Sequence, residues 1–338
     1  MSEKIKLAIA GMGNVATTLV KGLEFYRNST EGLWHPKVAG LTLGDIEIVS
    51  VFDIDPSKVG NKVREVANCN TAFSDIVVKP GLMTDLVPPH IGKNGNPKSV
   101  TEGEFVSSLK ASKPDFLVNL ISSGLDKTSE KYAQAALDAN CSFFNATSAR
   151  TVNENTKKSF AAKGLLILGD DLMSQFGGTA FHRGMIDFMT SRGIRIQKAY
   201  QLDVGGNQDT MNTMAEETRE KKRNIKTESI AIESPHPFKS TAGTTEYAEQ
   251  LGDSRVSYYW MEAKGFLGST IEMDLALKTS DSTNGCNVIV DSLRAAKFLI
   301  SRDEVGKAGI ISAYAFKNPE KRTHIRESIK SFEEMFVR

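Results

Sequence analysis

The stretch IKLAIAGMGNVATTLVKGLEFY, residues 5–26, joins a short apolar run, Ile5 to Ala10, to a glycine turn and then to a segment whose apolar residues recur every three or four positions. That order reads as strand, turn, helix. Gly11, Gly13 and Ala16 spell G-x-G-x-x-A at the junction. Small residues there permit a tight turn and let the backbone N–H groups that open the helix, at Asn14 and Val15, approach a pyrophosphate. Taken alone, the pattern fits a plain strand-to-helix turn as well. The next strand-like run, IEIVSVFDID at 46–55, carries Asp53 at its end, where a carboxylate can accept hydrogen bonds from an adenosine ribose. An acid at this place favours NAD over its 2′-phosphorylated form. The interval exceeds the usual ~20 residues because RNSTEGLWHPKVAGLTLGD, 27–45, intervenes.

Working outward, DFLVNLISS (115–123), CSFFNATS (141–148) and GLLILGDD (164–171) are further strand-like runs, separated by helix-like stretches at Lys127–Ala139 and Asn155–Ala162. Strands alternating with helices predict a Rossmann-like, doubly wound parallel sheet in an α/β fold. Ligands of such sheets lie beyond the carboxyl ends of the strands. The small polar residues there, Asn119, Ser122, Ser123, Asn145, Thr147 and Ser148, either line a cofactor or cap the following helices. Residues 77–101, rich in Pro, Gly and Asn, predict a long excursion from the sheet. After residue 194 the pattern changes: RVSYYWMEAKGFLG (255–268) and TIEMDLALKTS (270–280) read as longer strands, the second alternating. The expected division is a nucleotide-binding domain, 1–193 plus 285–338, and a second α+β substrate and oligomerisation domain at 194–284.

The 338 residues suffice for two such domains, and 40% hydrophobic content excludes a disordered chain. A formal net charge of +1 gives no whole-surface attraction to nucleic acid or membrane. Cys69, Cys141 and Cys286 stand far apart, and the polar start MSEKIKLAIAG does not read as a signal peptide, so a reducing cytoplasm is expected. The five histidines show no ligand spacing and predict no zinc site.

Two stretches are locally suited to anions. In LGDDLMSQFGGTAFHRGM, 168–185, Asp170 and Asp171 end a strand and Ser174, Gly177, Gly178 and Thr179 precede a helix. This is either an anion cradle or an ordinary cap. REKKRNIKTESI, 219–230, packs five basic residues into eight positions, with Lys222 and Lys226 four apart on one helical face. Like charges at that spacing cost a helix roughly 0.2–0.5 kcal/mol. On composition alone the run is a solvated basic face; with an anion between the lysines it is a binding site.

Several motifs in order extend the reading. LGDD…S…GGT…HR, YQLDVGGNQD (200–209), KKRNIKT (221–227), LGDSRV (251–256), SDSTNGCNVIVDSLRAAKF (280–298) and AYAFKNP (313–319) resemble the inositol-phosphate synthase family, over about Lys6 to Pro319. The resemblance implies a redox-neutral isomerase. NAD oxidises C5 of open-chain glucose 6-phosphate, a C6 proton leaves, the enolate attacks the C1 aldehyde, and C5 is reduced again to give an inositol phosphate. By the same resemblance Lys222 serves proton transfer at the carbon oxidised, Lys317 the enolate or aldol oxygen, and Lys226 the phosphate beside Ser174, Gly177 and Thr179. Asp171, with Asp209 and Asp281, orients lysines or hydroxyls. Asn207 lies by the nicotinamide, and Asp170 and Asp209 join the cofactor set. A homotetramer built through the second domain's sheet is implied too.

Three positions depart from the family pattern. GD-x-K reads Gly252-Asp253-Ser254-Arg255, the lysine between GDD and the loop serine is Met173, and DSP is Asp281-Ser282-Thr283. Arginine can clamp a phosphate or oxyanion but cannot give up a proton and recover it. The alternatives kept open are closure of a different, ketose phosphate and a non-catalytic homologue that binds NAD and phosphate.

Overall fold

The computed structural model describes residues 4–73 and 75–338. Strands β1 (Ile5–Ala10), β2 (Ile46–Asp53), β3 (Val78–Pro80), β4 (Phe116–Asn119), β5 (Ser142–Asn145) and β6 (Ile167–Leu168) form one sheet in the order β3-β2-β1-β4-β5-β6. All its pairings are parallel. Helices α1 (Asn14–Phe25), α2 (Val63–Ala67), α3 (Pro89–Gly92), α4 (Glu102–Ser112), α5 (Asp126–Asp138) and α6 (Glu154–Ala161) fall between or after these strands. A parallel sheet covered on both faces needs strands apolar on both sides. Accordingly, Leu7 and Ile9 of β1 pack with Leu19 and Val20 of α1, while Ala8 and Ala10 face Phe105 of α4 and Tyr132 of α5. The predicted doubly wound sheet is therefore present, and order reverses between β1 and β4.

Helix α7 (Gly178–Ser191) leads into a second, four-stranded sheet made of β7 (Arg195–Gly205), β8 (Lys239–Tyr247), β9 (Ser254–Lys264) and β10 (Thr270–Ser280), ordered β10-β9-β7-β8. It is mixed: β7 and β8 run parallel, the other pairs antiparallel. Between β7 and β8 lie α8 (Gln208–Thr213) and α9 (Glu216–Ala231). Helices α10 (Asp281–Ser301), α11 (Gly309–Ala315) and α12 (Ile325–Phe336) return to the first sheet, where Leu293, Ile311 and Phe332 join the core of β1 and α1.

Two expectations change in detail, and one strand, β8, was not anticipated. GLLILGDD yields only two strand residues, Ile167 and Leu168. Strand β8 has no apolar signature, because KSTAGTTEY is polar and small and carries Gly243 inside. The last long helix opens at Asp281, four residues before the domain boundary expected at Gly285. Asp253 causes this: its Oδ2 accepts from Ser280 Oγ at 2.5 Å, Ser282 Oγ at 2.6 Å and Ser282 N at 3.3 Å, satisfying the helix N-terminus from a neighbouring turn. Among the described residues no helix is long and apolar enough to cross a membrane, and all three cysteines are free.

The 27–45 insertion is tied to α10 by Arg294, whose side chain is fully buried. Its guanidinium donates to the carbonyls of His35 (2.9 Å), Pro36 (3.2 Å) and Leu41 (3.2 Å) and to Asp291 Oδ1 (2.6 Å). Asp291 Oδ2 in turn accepts from His35 Nδ1 at 2.7 Å and Tyr314 Oη at 2.8 Å. Arg294→Met would strand a buried carboxylate and three carbonyls, so urea denaturation should show a loss of about 3–5 kcal/mol. A loss below about 1 kcal/mol, the size of a surface pair, would contradict this role.

Candidate functional site

A cleft of about 320 Å³ opens at the carboxyl ends of β1 and β4, where the strand order reverses. Gly11, Gly13, Asn14, Val15 and Asp53 line one part of it. Gly11 has φ +92°, and a Cβ there would sit 2.9 Å from Ile121 N, so only glycine lets the turn pass under β4. Gly13 faces open space at the start of α1. Asp53 already accepts from Met12 N (2.7 Å), Ile54 N (2.7 Å) and Asp55 N (2.8 Å), so it fixes the glycine turn as well as lining the cleft.

The other part is lined by Asp171, Ser174, Gly177, Thr179, Asn207, Asp209, Lys222, Lys226, Arg255, Asp281 and Lys317. Residues as far apart as Asp171 and Lys317, 146 positions in sequence, are thus brought together. Ser122, Ser123 and Thr147 line the cleft too. Ala16, Asn145 and Asp170 stand behind it. Ala16 is core of α1. Asn145 Nδ2 donates to Asp170 Oδ1 at 2.7 Å, and Thr151 Oγ1 donates to the same atom at 2.8 Å. Burial raises the Asp170 carboxyl to about 6 despite these bonds.

Helix α9 resolves the basic run into two faces. Lys222 and Lys226 are buried, whereas Arg223 is exposed and Lys221 pairs with Asp126 at the surface. Each inward cation has a carboxylate from another element. Lys222 Nζ donates to Asp209 Oδ2 (2.7 Å) and Ser123 Oγ (3.2 Å), and Lys226 Nζ to Asp203 Oδ2 (2.5 Å). Lys317 Nζ donates to Asp171 Oδ1 (2.7 Å), while Arg255 grips Asp281 through Nε (2.8 Å) and a terminal nitrogen (2.7 Å).

These pairings set the protonation of the site. Burial pushes the Asp203 carboxyl up, but Lys226 and Arg255 outweigh it and hold Asp203 well below the usual carboxylate range. Burial is likewise overcome at Asp171 by Lys317, Lys222 and Lys226. Burial lowers Lys222, yet Asp209 and Asp171 raise it above an ordinary lysine. Lys226 goes the other way: burial, with Arg255 and Lys317 adding to it, prevails over Asp203 and lowers its pKa. Asp209 keeps contact with solvent, its side chain 38% exposed, so its pair with Lys222 is the more screened.

Among the described residues three that border the cleft, His90 at Nδ1 and the two that follow, keep a buried polar atom without a partner. Asp171 Oδ2 and Thr179 Oγ1 have no hydrogen-bond partner, and both residues border the cleft. Buried polar atoms are seldom left so, and a ligand with hydroxyl and phosphate groups would satisfy them. Asn207 caps α8 by accepting from Thr210 N at 2.9 Å and donates to Asp281 Oδ2 at 3.2 Å. Met173 points away from the cleft, into an apolar cavity bordered by Trp34 and Tyr314, with Arg183 donating to its sulfur at 3.5 Å.

Asp203 was not among the predicted site residues. The signal lay in strand phase: within QLDV, Leu202 points outward and is 38% exposed, whereas Gln201 and Asp203 are buried. A strand that turns polar residues inward and an apolar one outward marks a buried polar cluster.

This geometry can be set beside known proteins. The myo-inositol-1-phosphate synthase family profile matches residues 177–282. The inositol-3-phosphate synthase of Corynebacterium glutamicum is 31% identical, the match covering 98% of this chain and 98% of that protein. The chain belongs to the inositol-3-phosphate synthase family. That family places it among the intramolecular-lyase isomerases. Ari2, known from a crystal structure, is 26% identical with TM-score 0.77 over 98% of this chain and 99% of that one. A myo-inositol-1-phosphate synthase-related protein from Thermotoga maritima shares the fold at TM-score 0.84 with 20% identity, covering 98% of both chains. The block matching the inositol-3-phosphate synthase family holds Gly177, Thr179, both lysines of α9, Arg255 and Asp281; Lys317 lies beyond it.

Lys226→Met would leave Asp203, only 1% exposed, with Arg255 at 3.6 Å as its remaining counter-charge. A depressed carboxyl pKa contributes stability above its unfolded value, about 4, and loses it as pH falls through the lower folded value. Urea midpoints should therefore show a deficit of about 3 kcal/mol at neutral pH that shrinks once pH drops below about 4. A deficit independent of pH would contradict the pairing.

Proposed function

We propose that the protein converts D-glucose 6-phosphate to 1D-myo-inositol 3-phosphate without net redox change, using NAD as a resident cofactor. What carries the reading is the convergence of Lys222, Lys226, Lys317 and Arg255 on a cleft that also holds the glycine turn of β1. The cofactor fits the residues present. Gly11 admits a close approach, the N–H groups of Asn14 and Val15 open α1, and Asp53 stands at the end of β2. Ser122, Thr147 and Asn207 would flank its nicotinamide end. When bound, NAD would supply reversible oxidation of one substrate carbon.

The chain's own groups would do the rest. Thr179, Ser174 and the N-terminus of α7 at Gly177 and Gly178 offer donors to the phosphate, with Arg255 as a charge that is never lost. Negative charge developing on a ketone, enolate or aldol oxygen would meet ammonium groups already oriented by Asp171, Asp203 and Asp209. Because those carboxylates are in place before substrate arrives, little reorganisation is needed at the moment of reaction. The outward face of the second sheet carries Tyr200 stacked on Trp260 at 5.5 Å, with Tyr258 40% exposed, and would join copies into a homotetramer.

Arginine in place of the family lysine, locked onto Asp281, supports a second reading in which a ketose phosphate is closed instead. One assay separates them. With glucose 6-phosphate and NAD, organic phosphate should become acid-stable and periodate-labile while absorbance at the NADH band stays flat. Steady NADH accumulation would contradict the proposal, and turnover of a ketose phosphate alone would select the second reading. Lys317→Ala should lower kcat by at least about a hundredfold, the scale of losing one oriented oxyanion partner.

A further inference from the structure

The excursion between β3 and α4 delivers Leu82, Met83, Pro88, His90 and Ile91 to the wall of the cleft. Four of these are apolar. The fifth, His90, is neutral, because burial and then the Lys58 charge hold its pKa below the ordinary histidine value. Its Nδ1 is buried without a partner. An apolar slot with one polar group suits a flat heteroaromatic base. The place fits as well. With a pyrophosphate at the glycine turn and a ribose at Asp53, the base of a dinucleotide falls next along this wall.

Three consecutive residues at the end of β2 hold the excursion. The Asp53 carbonyl accepts from Gly81 N at 2.9 Å and the Ile54 carbonyl from Lys98 N at 2.9 Å, which pins its two roots. Asp55 reaches its middle. The buried Asp55 carboxylate is fixed by Ser57, whose N and Oγ donate to Oδ1 at 2.9 Å and 2.6 Å. Burial pushes this carboxyl up, but Ser57, Lys58 and Asn94 outweigh it and lower its pKa. Asn94 Nδ2 donates to Asp55 Oδ1 at 3.2 Å and Oδ2 at 3.1 Å, while Asn94 N donates to the Ile91 carbonyl at 2.9 Å. The turn carrying His90 and Ile91 is thereby fastened to β2. Resting on the proposed use of NAD, we infer that Asp55 is a positioning residue: through Asn94 it holds His90 and Ile91 as a wall for the adenine base, and so sets affinity for the cofactor.

The test reads binding separately from turnover. Asn94 is exposed, so its replacement leaves the core intact. Calorimetry would follow NAD and ADP-ribose, which has the adenosine half of the cofactor but no nicotinamide. Asn94→Ala should weaken both ligands by about tenfold or more, the scale of losing one hydrogen bond to a charged group. Asn94→Asp, which sets a second carboxylate against Asp55, should weaken both further. In the cyclisation assay KM for NAD should rise by the same factor while kcat at saturating NAD stays at the wild-type value. A merely structural latch would lower the unfolding midpoint and leave both affinities unchanged. That result, or a fall in kcat with KM unmoved, overturns the inference. If NAD binds and the variants respond as expected but no inositol phosphate forms, the inference stands and the proposed reaction alone fails. Wild-type protein that binds neither ligand overturns both.

Discussion

Four cationic side chains share one cleft, and they can do so only because carboxylates from separate elements stand between them. Uncompensated, like charges at such distances would cost several kcal/mol in a partly dry site. Asp203 comes from β7, Asp209 from α8, Asp171 from the turn after β6 and Asp281 from the start of α10. The second sheet, the α9 face and the return of the C-terminal helices must therefore all close before the charges balance. The main-chain bonds Lys317 N to Asp171 O (2.8 Å) and Met173 N to Ala315 O (2.8 Å) show how tightly the distant segment is fastened.

The balance is deliberately incomplete. Asp171 Oδ2 and Thr179 Oγ1 lack partners, and the start of α7 presents donors to the cleft. A sugar phosphate offers the groups that would complete this set. Arg255 alters the balance in a defined way. It adds a permanent charge beside Asp203 and takes Asp281 for itself.

Much of the fold was legible because parallel strands buried on both faces leave apolar runs, and G-x-G-x-x-A marks the turn that opens the first helix. Strand β8 escaped because its packing is made by small and polar residues, and β6 was overestimated because only Ile167 and Leu168 pair with β5. Helix α10 begins before the expected domain boundary because its cap comes from Asp253, nearly thirty residues upstream. At the site, the lysines were visible from spacing and motif order. Asp203 was not, since its importance depends on strand phase and on three partners distant in sequence. Asn145 ends β5 as expected, whereas Asp170 lies two residues past β6, and both bond to Ala149 and Thr151 behind the cleft.

The central claim is that one carbon of a sugar phosphate is oxidised and then reduced again without leaving this cleft. It is tested most directly with glucose 6-phosphate deuterated at C5 and unlabelled NAD. The account predicts an inositol phosphate that retains its deuterium at that carbon, with none appearing in free reduced cofactor. Loss of the label to a pool of reduced cofactor, or to solvent, would contradict it.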